Sequence, residues 1–155
     1  MSSQEASPDP VMAAIGAAQQ LALDGEREHA RRELAALWRR IGAEGDPLHR
    51  VALAHYMADA QDDPEQELAW DMRALAAADA LTDDRAKGYH STLAVRGFYP
   101  SLHLNLGADY EKLGRLEEAR EQLTRAERAA VELPDDGYSA FVRSGIAALR
   151  RRLDV

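Results

Sequence analysis

The chain has no cysteine, which excludes a disulfide framework and thiolate chemistry. Aromatic residues make up only 6%, while hydrophobic residues led by Ala and Leu reach 46%. That balance favours helices over sheets. Positive charge is also short. The net charge of −8 argues against a general affinity for nucleic acid or anionic membranes. No apolar run approaches the ~18 residues that a membrane span needs. The first residues, MSSQEASPDP, carry neither a basic region nor an apolar stretch of the signal-peptide kind. The expectation is a cytoplasmic bacterial protein. Enzyme signatures are missing too: there is no G-x-S-x-G elbow, phosphate-binding loop, G-x-G-x-x-G or H-E-x-x-H.

What is present is helical punctuation. Residues 1–8 are polar and without periodicity, and are expected to be a disordered tail. Residues 9–155 then read as a single helical domain, since 155 residues suffice for one sizeable core. Asp9-Pro10, Asp46-Pro47 and Asp63-Pro64 each join an N-capping side chain to proline at the first helical position. Val11, Ala14, Ile15 and Ala18 follow at helical spacing, and Asp24-Gly25 ends that helix. A second helix is expected to bury Ala30, Leu34, Leu37 and Trp38, a third Leu48, Val51 and Ala52, and a fourth Leu68, Met72, Leu75 and Ala76. Residues 82–99 read as an extra helical segment. After the turn Leu133-Pro134-Asp135-Asp136-Gly137, a last helix presents Tyr138, Phe141, Val142, Ile146 and Leu149.

The stretch Leu102 to Ala126, LHLNLGADYEKLGRLEEAREQLTRA, organises the chain. It predicts two antiparallel helices turning at Leu113-Gly114-Arg115. Gly107 and Ala119 are small enough for the helices to approach closely. Tyr110 and Leu123 fill the space beside them, and Gly114 permits a positive φ. An earlier stretch fits the same frame without gaps: Leu21, Gly25, Ala30, Leu34 and Leu37 stand 89 residues before Tyr110, Gly114, Ala119, Leu123 and Ala126. The order His103, Leu106, Gly107, Tyr110, Ala119, Leu123, Ala126 resembles a tetratricopeptide repeat. His103 stands where that pattern has Trp, and Leu123 where it has Phe. The usual Pro would fall at Val131 but comes at Pro134, so the second helix is expected to run long. DDPEQELAWDMRAL resembles the second half of another repeat, with Asp62 in the glycine place and a one-residue shift around Glu67.

The resemblance implies an all-α solenoid of about three degenerate repeats, seven or so helices, with a C-terminal capping helix. It further implies a non-enzymatic module that binds a peptide or protein on a concave face. Ser101, Asn105, Ala108 and Lys112 form one stripe of their helix. The same frame gives Met12, Gly16, Gln19 and Leu23, then His49, Leu53, Tyr56 and Ala60. The partner-binding candidates are therefore Gln19, His49, Leu53, Tyr56, Ser101, Asn105 and Lys112, with Asn105 suited to a partner's main chain because an amide both donates and accepts. No catalytic residue, metal or cofactor is expected, and no pair of carboxylates stands out as an acid and base. The rival readings are a metal-binding or enzymatic helical protein using His49, His55 and Asp59, and a self-associating structural subunit.

Overall fold

The computed structural model describes residues 9–42, 44–81 and 97–154. These form seven α-helices and, among the described residues, no strand. They are α1 (Pro10–Leu23), α2 (Arg27–Ile41), α3 (Pro47–Asp59), α4 (Pro64–Ala80), α5 (Tyr99–Lys112), α6 (Leu116–Ala130) and α7 (Gly137–Leu153). The expected tail and most of the segment at 82–99 lie outside the described residues.

Four of the described helices, α1, α3, α4 and α7, begin at a capping aspartate. The Asp9 carboxylate accepts from the Val11 and Met12 N–H groups, Asp46 from Leu48, Asp63 from Glu65 and Asp136 from Ser139. Each such cap contributes about 1 kcal/mol. Three antiparallel hairpins result, α1–α2, α3–α4 and α5–α6, closed by α7, which packs on both α5 and α6.

The 89-residue frame holds bond for bond. α1 and α5 are each 14 residues long, and α2 and α6 are each 15. Gly25 and Gly114 both take positive φ, 89° and 74°. The turn bonds Gly25 N–H to Ala22 O and Glu26 N–H to Leu21 O recur as Gly114 to Glu111 and Arg115 to Tyr110. Ala30 and Ala119 are both fully buried. The frame extends to the next helix as well. Arg31 donates to Ala60 O at the end of α3, and its counterpart Arg120 donates to Leu153 O at the end of α7. Since α3 packs on α1 and α7 on α5, α7 repeats the position of α3.

The middle hairpin differs. Its turn is one residue longer, and Asp62 does not adopt positive φ. Without a left-handed residue to close the helix end, Arg27 from α2 donates to the carbonyls of Asp59 and Gln61 and to the Asp62 carboxylate. Cations suit a helix C-terminus for this reason.

Three expectations need correction. α6 does not run on towards Pro134 but stops at Ala130. On α4 the buried residues are Leu68, Asp71, Ala74, Ala77 and Ala78, whereas Met72 is 51% exposed and Ala76 is also exposed. The face is turned because Asp71, read as polar surface, points inward. On α7, Phe141 is 77% exposed and Tyr138 also faces solvent, while Ser139 and Leu153 are buried.

Among the described residues the apolar interior falls into several clusters along the helices. Ile15, Leu34, Leu37 and Leu53 join the first hairpin to α3, and Val51, Ala74, Ala77 and Leu102 join α3 and α4 to α5. Trp38 and Trp70 meet edge to face at 5.1 Å between α2 and α4. A Cβ on Gly107 would lie 2.7 Å from Leu149 Cδ2, so α5 and α7 meet there without room for a side chain. Gly107→Leu should lower stability by about 1–3 kcal/mol or more through overpacking. Gly16 is also mid-helix, but a Cβ there would meet nothing within 4 Å. Gly16→Ala should instead stabilise by roughly 0.5–1 kcal/mol. Opposite shifts in the denaturation midpoint would bear this out; equal shifts would refute it.

Candidate functional site

Residues of α1, α3, α7 and the start of α5 surround a shared groove. A cavity of about 330 Å³ opens there. Met12 of α1, Leu48, Val51, Ala52, His55 and Tyr56 of α3, Phe98, Ser101 and Leu102 at the start of α5, and Tyr138 of α7 form its walls. The lining is chiefly apolar, with polar atoms from His55, Ser101 and the two tyrosines. The Tyr138 hydroxyl donates to Ser101 Oγ at 3.1 Å, and Ser101 Oγ donates to Phe98 O.

The residues expected to bind a partner divide. Tyr56 and Ser101 line the groove. Leu53 is a correction: it is 1% exposed and packs in the core against α1 and α2, so it offers no surface to a partner. The stripe read as His49, Leu53 and Tyr56 is off by one residue in α3, where Leu48, Ala52 and His55 line the groove. His49 Nε2 meets the Asp9 carboxylate at 2.8 Å, tying the start of α1 to α3. Gln19 is half-buried on α1 and does not line the cavity. Lys112 is ion-paired with Glu67 at 2.7 Å. The Asn105 amide lies 3.3 Å from His55 Nδ1. With the amide N–H donating, the ring proton sits on Nε2, which faces Asp59 at 3.8 Å.

His49, His55 and Asp59 do not gather as a metal site. Among the described residues, the ligand atoms close enough to hold an ion belong to Glu67, Asp71 and Asp109. Asp71 and Asp109 are each 2% exposed and hydrogen-bonded to one another across the α4–α5 interface. This pair escaped the sequence reading, yet a signal existed. Asp71 continues the helical stripe from Leu68 to Leu75, and Asp109 the stripe from Leu102 and Leu106 to Leu113. An acid inside an apolar stripe marks a buried carboxyl.

Two carboxylates in contact cannot both ionise, so the pair holds a proton. Burial foremost, then the bond and charge of Asp109, push the Asp71 carboxyl far above its ordinary 3.8. Burial also raises Asp109, although there the bond from Asp71 pulls the other way. Glu67 and Asp59 add negative potential, and the Lys112 ammonium partly offsets it. Both members are 2% exposed and packed between α4 and α5.

The chain matches no family model, no curated protein and no solved structure.

The raised carboxyls give a pH dependence of known sign. The folded state binds more protons than the unfolded one above 3.8. This contribution is therefore complete below that value and lost as pH rises through the raised folded values. Asp71→Asn keeps a donor for Asp109 and removes the titration. Its melting temperature should exceed that of the wild type, by a margin that widens from about pH 4 to about pH 8. A margin that stays constant or shrinks would show that the two acids do not share a proton.

Proposed function

We propose that the protein is a non-enzymatic interaction module, a tetratricopeptide-like array that binds a peptide or protein segment in the groove of α1, α3, α5 and α7. The observation that supports this is the apolar cavity formed where the first helices of the hairpins line up. Its volume, about 330 Å³, is at the small end of ligand sites, which run from roughly 300 to 1,000 Å³. That suits one or two anchoring side chains better than a large cofactor. Apolar walls supply the affinity for such anchors, about 25 cal/mol per Å² buried. Ser101, His55 and Tyr138 supply hydrogen bonds at the rim. Asn105 enters this reading as the residue that orients His55, and Tyr56 as part of the wall.

A second reading, self-association, is favoured by Phe141, which lies 77% exposed one turn from exposed Tyr138 on α7. Light scattering across a concentration series reads it directly, and Phe141→Ser should abolish any dimer seen.

Filling the groove tests the leading reading. Ala52→Trp and Ser101→Trp place an indole in the cavity, and exposed Glu121→Ala on α6 is the control. A partner recovered from the native cell extract should bind the control as it binds the wild type. It should lose about tenfold or more in affinity for the folded groove variants, equivalent to ~1.4 kcal/mol. Equal binding to all four proteins would move the binding surface away from the groove.

A further inference from the structure

One carboxyl oxygen from each of Glu67, Asp71 and Asp109 lies within 4.8 Å of the other two. Glu67 and Asp71 stand one turn apart on α4, and Asp109 reaches them from α5. Asp71 Oδ1 and Asp109 Oδ2 are buried, and no N–H or hydroxyl of the described residues donates to either. Buried oxygens of this kind are rarely left without a positive partner, since desolvating a charge is costly unless it is paired. The available compensation falls short. Lys112 is the ammonium at the cluster, and it already sits on Glu67 at 2.7 Å. Three carboxylates thus face one ammonium, and a proton held between Asp71 and Asp109 still leaves one negative charge over. A divalent cation in the place of that proton brings the three acids and Lys112 to neutral.

The donors suit such an ion. All are oxygens, which selects hard cations such as magnesium, calcium or manganese over zinc or copper. Metal–oxygen distances of about 2.1–2.5 Å place oxygens on opposite sides of an ion roughly 4–5 Å apart, so the observed spread needs no rebuilding of the helices. Glu67 is half-buried at the edge of the cluster, beside exposed Lys112, and provides the way in. We propose that Glu67, Asp71 and Asp109 bind one hard divalent cation that clamps α4 to α5. The site shares no lining residue with the groove.

The test uses the full chain, stripped with a chelator and titrated with manganese(II). Loss of the free-ion paramagnetic resonance signal counts bound ions, and thermal melting reads their effect on the fold. The expected result is one saturable site per chain and a melting temperature that rises with manganese. Glu67→Gln, at the partly buried edge, should fold and weaken binding at least tenfold, and Asp71→Asn should do the same. Excess calcium or magnesium should displace the manganese. Absence of saturable binding up to millimolar manganese would overturn the proposal and leave a proton as the only occupant. So would binding unchanged in either folded variant, which would mark adventitious association with the acidic surface.

Discussion

The fold depends on how closely its helices can approach. Ala30, Ala54, Ala74, Ala77, Ala78, Ala119 and Ala126 are all completely buried. Alanine removes little apolar area per residue, so a core built from it is stable only if backbones come near enough for the larger Leu and Ile side chains beside it to interlock. Glycine completes the approach where even a methyl group is too large, as at Gly107 against Leu149. This accounts for the scarcity of aromatic residues: wide interhelical gaps to fill are few. The two tryptophans are spent together, edge to face, at the junction of the first and second hairpins.

Close approach also explains what was legible in the sequence. Asp-Pro caps, left-handed glycines and buried alanines are local or pairwise devices, each with its own residue type. The starts of α1, α3 and α4 and both three-residue turns could be read from them directly. The 89-residue frame was visible because the same devices recur at fixed spacing. α4 was misread because its face was assigned by hydrophobicity alone: Met72 entered the stripe and Asp71 left it. Whether a buried position is filled by a methionine or by an acid depends on what α5 presents there, and α5 presents another acid. That is a tertiary fact, thirty-eight residues away in the chain. The start of α7 shows the converse, where the Phe141 ring is left exposed and no eighth helix among the described residues covers it.

The groove was legible in outline but not in register. A shift of one residue in α3 turns Leu53 into the core and brings His55 to the cavity wall. One residue rotates a helix face by about 100°, so an error that leaves the element assignment intact still exchanges wall for core. A cap fixes where a helix starts and not which way it faces.

The polar groups near the groove are connected rather than scattered. Asn105 holds His55, His55 faces Asp59, and Asp59 shares its surroundings with Glu67 and Lys112. Beneath these lie Asp71 and Asp109. A polar network inside an alanine seam opposes the principle that stabilises the rest of the stack, because carboxyls interlock poorly and must be neutralised. Local departures from otherwise consistent packing are where proteins place function or control. Here the departure lies between the second and third hairpins, and α5 carries both Asp109 at that interface and Ser101 at the groove. Whatever neutralises the acids therefore sets how firmly α4 holds the helix that forms one wall of the groove.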